Sequence, residues 1–174
     1  MSPRVIQMMV QETTRIWAPY GVDIRVDGQK PAVTTRRIRL AVDSAAHPAP
    51  DVATGSLGSI EFREGTPEPA ILLYPATASA LVAGPGAEQD ENRWTIAYRD
   101  IVLGRTLGRA LAHEVGHYIL RSRGHSTTGL MQARQSIADF MAFGRHRFSL
   151  TADEVTRLRQ VMRIGTPETA VNAQ

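Results

Sequence analysis

The chain has 174 residues, a length that fits one domain with a substantial core and is short for two. Hydrophobic residues at 43% and charged residues at 21% are ordinary globular values, which argues against wholesale disorder. The formal charge is only +3 and the arginines are scattered along the chain, so no nucleic-acid partner is expected. The absence of cysteine excludes disulfides and thiolate metal sites, so any metal must be bound by His, Asp or Glu.

The sequence contains no recognisable targeting signal. Residues 1–17 lack the long apolar core of a secretory signal, and no stretch reaches the roughly 18 apolar residues of a membrane span. We therefore expect no membrane partner, a cytoplasmic location by default, and a secreted protein if a leader has been removed. We also expect a monomer.

The first half of the chain reads as one helix followed by strands. Apolar residues at near-helical spacing predict a helix over 3–18, ended by Pro19 and Gly21. Alternation of apolar and polar residues predicts three strands, at 22–26, 37–42 and 57–62. The more continuous apolar run 70–75 predicts a fourth strand, covered on both faces. Between them, loops are expected at 43–54 and 84–92, a turn at 64–67 and a short helix at 76–84.

The second half reads as helical. Helical spacing predicts a long helix from an N-cap at Asp100 to a stop at Gly124. Three glycines inside it, which weaken a helix, indicate places of close packing: Gly104, Gly108 and Gly116. Residues 151–154 form a capping-box sequence that starts a last helix reaching about residue 163.

The order of these elements predicts an α+β fold. Strands gathered first and helices later favour a mixed, twisted sheet packed on the long helix, with helices at both ends of the chain. We expect one domain over 1–164 and a flexible tail over 165–174.

The long helix contains the sequence HEVGH at 113–117. Positions i and i+4 share one helix face, so His113 and His117 can both bind one zinc ion at about 2.0–2.1 Å. Glu114 lies one step round the helix, where it can accept a proton from a metal-activated water without being a ligand. The alternative is a helix whose histidines are satisfied by hydrogen bonds in the core.

A catalytic zinc ion needs a third protein ligand and an open fourth position. His125 is favoured, because it is nearest in sequence and follows Gly124, which allows the chain to fold back. The other candidates are Asp139, His146 and the acidic pair Asp153 and Glu154. Asp139 is also a candidate for orienting a ligand histidine, whereas His146, flanked by arginines, is expected to face solvent.

The sequence pattern of these residues resembles that of the zincin metallopeptidases, and within them that of the metzincins. The metzincin pattern is HExxHxxGxxH followed by a turn that contains a methionine, the Met-turn. The resemblance implies one Zn²⁺ held by His113, His117 and His125, Glu114 as general base and Met131 as the Met-turn residue. It also implies a compact metzincin-like fold and a peptide or protein substrate. In that family an edge strand binds the substrate in extended form, for which LGSIEF at 57–62 is the candidate, with Gly58 allowing close approach.

The sequence departs from the metzincin pattern at two positions. Leu120 stands where the family has glycine, and His125 comes eight residues after His117 instead of six. The related gluzincins, with a glutamate ligand on a later helix, are the family alternative, and Glu154 would then be that ligand. The functional alternatives are a non-catalytic zincin-like binding or regulatory module and hydrolysis of a non-peptide amide.

Overall fold

The computed structural model describes residues 1–25, 41–45, 56–84 and 95–164. This part of the chain is α+β, as the sequence predicts, and contains five α-helices, two short 3-10 helices and three strands. The helices are α1 (Pro3–Trp17), α2 (Pro75–Ala83), α3 (Ile96–Leu120), α4 (Ile137–Met141) and α5 (Ala152–Ile164). The strands are β1 (Ala41–Ser44), β2 (Gly58–Arg63) and β3 (Thr66–Leu73). No helix in these described ranges is both long enough and apolar enough to cross a membrane.

The three strands form one mixed sheet in the order β1-β3-β2. β1 runs parallel to the central β3 and β2 antiparallel to it, with a register shift between Ile60 and Phe62. β2 and β3 are joined by the turn Glu64–Gly65, and both of these residues have positive φ, which suits a tight hairpin. Only one face of β3 is buried, so the prediction that it is covered on both faces is wrong. A strand with α3 on one side needs only one apolar face.

Helix α3 lies at the centre of the molecule and contacts α1, the strands β2 and β3, and the other three helices. The predicted close packing at its glycines is confirmed. A Cβ atom at Gly108 would lie 2.6 Å from the Met9 carbonyl oxygen, and one at Gly104 would lie 2.5 Å from the Met8 Cβ. The missing side chains therefore allow the backbone of α1 to approach α3 directly.

Both ends of α3 differ from the prediction. The helix begins five residues earlier than expected, because Thr95 is the N-cap and its hydroxyl accepts from the Tyr98 N–H. Asp100 lies inside the helix and accepts a hydrogen bond from the Ser2 hydroxyl at 2.7 Å. The helix ends at Leu120 because Arg121 adopts a left-handed conformation with φ of 49°, so Gly124 does not end it.

The strand predicted at 22–26 is not formed in its described part, residues 22–25. The Val22 N–H donates to the Trp17 carbonyl, and the Ile24 carbonyl accepts from the Thr14 hydroxyl at 3.0 Å. These backbone groups are therefore bonded to the end of α1 instead of to a neighbouring strand. The next predicted strand, 37–42, is described only from residue 41, where β1 begins and then continues to Ser44.

The other predicted elements are confirmed in part: β3 already begins at Thr66, within the predicted turn 64–67, and β1 extends to Ser44, into the predicted loop 43–54. The short helix predicted at 76–84 is α2, which is followed by Gly84 with a φ of 75°. The capping box is present, because Glu154 N–H donates to the Thr151 hydroxyl and Thr151 N–H donates to the Glu154 carboxylate. The predicted flexible tail and most of the two predicted loops, at 46–54 and 85–92, lie outside the described residues.

Candidate metal centre

Three histidines meet at the end of α3. His113 and His117 lie on one face of its last two turns, and His125 lies in the following segment. Their ligand nitrogens all lie within 4.8 Å of one another. The His125 ring stacks on the His113 ring with centroids 5.3 Å apart and meets the His117 ring edge-on at 4.9 Å. The structure thus brings together the three histidines that the sequence predicts as metal ligands.

Backbone carbonyls orient the first two rings. His113 Nδ1 lies 2.8 Å from the Leu130 carbonyl oxygen, and His117 Nδ1 lies 2.6 Å from the Ser122 carbonyl oxygen. A carbonyl only accepts hydrogen bonds, so each Nδ1 carries the proton in its neutral ring, and each Nε2 is left with a free lone pair. The left-handed turn at Arg121 is what brings the Ser122 carbonyl back to His117. This is the tautomer in which a histidine binds a metal through Nε2.

The two free Nε2 atoms face each other at 3.1 Å. Burial lowers the pKa of His113 to about 4 and lowers the pKa of His117, so both rings are neutral at pH 7. Two lone pairs at this distance repel unless a cation lies between them. Two nitrogens bound to one tetrahedral ion at 2.0–2.1 Å lie about 3.3–3.4 Å apart, close to the observed separation. The donor set therefore fits a zinc ion.

The other predicted ligands do not reach this cluster. Among the described residues, no further Cys, His, Asp or Glu joins the three histidines to form a metal-binding group. Asp139 accepts from the Ser136 hydroxyl at the start of α4 and faces Arg147, so it does not orient a ligand histidine. Glu154 is occupied by hydrogen bonds at both carboxylate oxygens. His146 is exposed, as predicted, and Asp153 is exposed in the first turn of α5.

Glu114 lies between the histidine cluster and β2. Its side chain is 7% exposed, and a Cβ atom at Gly58 would lie 3.0 Å from its Cγ and 3.4 Å from its Oε1. Gly58 thus leaves the room that the Glu114 carboxyl group occupies. The close approach of a substrate to this strand stays a prediction. Burial raises the pKa of Glu114 to about 7. The group can therefore both accept and release a proton near neutral pH.

Met131 is fully buried beneath the last turns of α3. A Cβ atom at Gly116 would lie 2.3 Å from its sulfur, so the thioether fills the groove that this glycine opens. The preceding residue, Leu130, supplies the carbonyl that orients His113. Met131 thus packs against α3 at Gly116, next to the residue whose carbonyl holds His113, and its role as a Met-turn residue stays a prediction.

A cleft of about 900 Å³ runs beside the cluster. One wall is the sheet-edge strand β2, and the other is formed by residues 132–135 with Phe140 and Phe148. At one end, Arg123 donates to the Phe62 carbonyl at 3.0 Å and stacks on its ring. Among the described strands β2 lies at the edge of the sheet, and its residues from Gly58 to Ile60 line the cleft beside the histidines.

Several groups that shape the site have no signature in the sequence. The carbonyls of Leu130 and Ser122 are backbone atoms, which any residue can supply. Arg123 was not predicted either, and its hydrogen bond and cation–π contact with Phe62 join the end of α3 to β2 only in the folded structure. The capping-box sequence indicates that the Glu154 carboxylate caps α5. It does not indicate that the same carboxylate bonds Ser126, the residue after His125.

Comparisons with family models, curated proteins and solved structures find no match for this chain. The interpretation of the site therefore depends on its own geometry and chemistry.

Proposed function

We propose that this protein is a zinc-dependent metallopeptidase of a divergent, metzincin-like zincin type. The observation that carries the proposal is the pair of neutral Nε2 atoms of His113 and His117 facing each other at 3.1 Å, with His125 alongside and a buried carboxyl group next to them. Hydrogen bonds to backbone carbonyls account for the Nδ1 atom of each ring, but they leave the lone pairs of the two Nε2 atoms facing each other. A metal ion explains all of these features together.

Zinc is the metal that this donor set favours. Three imidazoles with no thiolate, and with room beside a cleft for a fourth position, are typical of catalytic zinc sites. When bound, zinc supplies a Lewis acid that polarises a carbonyl group and lowers the pKa of water towards 7. His113, His117 and His125 would hold the ion.

Glu114 is the proton-transfer group in this proposal. Its carboxylate form takes the proton that a water molecule loses when it attacks a peptide carbonyl, and its acid form returns the proton to the leaving amine. In the metal-free site burial raises the pKa of Glu114 to about 7, and the positive charge of a bound zinc ion would lower it again, which favours the proton-accepting carboxylate. The burial that raises the pKa also excludes bulk water from the proton path.

The cleft geometry supports a peptide substrate. β2 lies at the edge of the sheet formed by the described strands, so an extended chain could pair beside it, and Gly58 beside Glu114 marks where the scissile bond would lie. Phe140 and Phe148 on the opposite wall provide apolar surface for a substrate side chain.

Glu114→Gln tests the proposal, because glutamine keeps the shape of the side chain and loses its proton-accepting charge. We expect the variant to bind one zinc ion per chain and to lose at least about 100-fold in peptide cleavage. Zinc content and cleavage of a peptide library would be measured for both proteins. Undiminished cleavage would contradict the assigned mechanism. Zinc binding without cleavage in the unmodified protein would favour a non-catalytic binding module instead.

A further inference from the structure

His125 is held differently from the other two histidines. His113 and His117 each have a ring nitrogen fixed by a backbone carbonyl. Within the described ranges the His125 ring has no such hydrogen bond, and its side chain is exposed. Its position therefore depends on how firmly the backbone on either side is held.

Ser126, the next residue, is held at two points. Its N–H donates to the Met131 carbonyl at 3.0 Å, and its hydroxyl donates to Glu154 Oε1 at 2.6 Å. The second bond spans 28 residues and is short and charge-assisted, which makes it stronger than a neutral hydrogen bond. The chain is thus fixed immediately after the third histidine.

Glu154 is itself fixed by the capping box of α5. Its Oε2 accepts from the Thr151 N–H at 2.7 Å, and its own N–H donates to the Thr151 hydroxyl at 3.3 Å. A carboxylate in the first turn of a helix is also favoured by the helix dipole. One oxygen of Glu154 therefore caps the helix while the other holds Ser126.

The same end of α5 also supports His113. The Leu130 N–H donates to the Ser149 carbonyl at 2.8 Å, and the Leu130 carbonyl holds the His113 ring. A Cβ atom at Gly129 would lie 2.4 Å from the Ser149 oxygen, so the two segments are in direct contact. Residues 149–154, which we call the α5 cap, thus lie behind two of the three histidines.

We infer that Glu154 is a positioning residue for the third metal ligand, acting through the Ser126 hydroxyl. The inference rests on the proposed zinc site. Glu154 holds the residue next to His125 in place before the metal arrives, so zinc binding does not have to order this segment. Loss of a hydrogen bond made directly to a ligand side chain typically lowers metal affinity 10–100-fold, and the Ser126–Glu154 bond, one residue removed from His125, should act at the lower end of that range.

Ser126→Ala is the direct test, because it removes the hydroxyl and leaves the Thr151–Glu154 cap intact. We expect zinc affinity, measured by competition with a chromophoric chelator, to fall about 10-fold or more. The unfolding midpoint of the metal-free protein should change little. Ser126→Thr keeps a hydroxyl and should restore most of the affinity.

Two controls separate positioning from general stability. Thr151→Ala removes the helix cap but keeps the Thr151 N–H bond to Glu154, so it should lower the unfolding midpoint and spare zinc affinity. Ser149→Ala removes an exposed hydroxyl of the α5 cap that bonds only the His146 carbonyl, and should change neither property. Combining Ser126→Ala with Glu154→Ala should weaken zinc binding no more than the larger single effect.

The outcomes distinguish this inference from the proposed function. Unchanged zinc affinity in Ser126→Ala, or an equal loss in Thr151→Ala, would overturn the role of Glu154 and leave the zinc site standing. Failure of the unmodified protein to bind zinc would overturn both.

Discussion

At the scale of single residues, the central group is a buried carboxyl group among neutral imidazoles. Glu114 has no charged partner in the described structure, and its pKa is raised by burial alone. His113 shows the opposite effect for the same reason, because burial disfavours the charged form of each group. Without a metal, burial therefore keeps His113 neutral at pH 7 and leaves Glu114 about half ionised.

This arrangement predicts a pH-dependent stability difference between the metal-free protein and its Glu114→Gln variant. The pKa of Glu114 rises from 4.5 to about 7 on folding, so the native carboxyl group destabilises the fold progressively as the pH rises from about 4.5 to 7. At pH 8 the variant should be more stable by up to about 3 kcal/mol, since one pKa unit corresponds to 1.36 kcal/mol. At pH 4 the two should be nearly equal.

Urea unfolding in the presence of a chelator measures this difference at each pH. His113, whose pKa falls to about 4 on folding, makes stability rise with pH between about 4 and 6.5. Because it does so in both proteins, subtracting one stability curve from the other isolates Glu114. A difference that does not change with pH would mean that the native carboxyl group ionises as freely as an exposed one.

The residue types at the site were predictable from sequence because metal chemistry restricts them. His113, Glu114 and His117 follow from a five-residue pattern on a helix, and His125 follows from proximity and ligand type. The orienting carbonyls of Ser122 and Leu130 were not predictable, because every residue has a carbonyl and only the folded backbone decides where it points.

At the scale of elements, the packing of α1 against α3 decides where the site lies. The Thr13 hydroxyl donates to the Gly108 carbonyl at 3.0 Å, and the Trp17 indole N–H donates to the Ala112 carbonyl at 3.1 Å. Between them, the buried Arg109 donates to Glu12 at 2.9 Å. These bonds fix the position of α3 just before the first histidine.

Gly108→Ala tests whether close packing outweighs helix propensity. In an isolated helix the change would stabilise by about 1 kcal/mol. Here the new methyl group would lie 2.6 Å from the Met9 carbonyl oxygen and 2.7 Å from the Glu12 Cβ, so the two helices must separate. We expect a net loss of about 1–3 kcal/mol in the free energy of unfolding, measured by urea denaturation. A gain in stability would show that this contact is not tight.

Element boundaries show where sequence reasoning loses accuracy. Thr95 and Asp100 are both acceptable N-caps, but in the folded protein the Asp100 carboxylate accepts a hydrogen bond from Ser2, 98 residues away, and Thr95 caps the helix. The run 22–26 alternates like a strand, yet the Thr14 hydroxyl and the end of α1 take up its backbone groups. Long-range partners of this kind are invisible to a local pattern.

At the scale of the whole molecule, the site lies beside a hydrophobic core that includes none of the three histidines. Trp17, Leu107 and Leu111 belong to one hydrophobic cluster that also includes Met131 and Leu158 from the later segments. The three histidines lie at its edge, next to the cleft. Metal binding should therefore add stability to a folded protein instead of inducing the fold.

We therefore expect metal-free protein to unfold cooperatively and zinc to raise its unfolding temperature. At free zinc 100 times the dissociation constant, the added stability should be about 2.7 kcal/mol. His113→Ala should abolish most of the zinc-dependent shift, whereas His146→Ala, at an exposed position outside the cluster, should retain it. Calorimetry with and without a chelator measures the shift. Equal shifts in the two variants would place the zinc elsewhere, and a metal-free protein without a folding transition would show that the core depends on the ion.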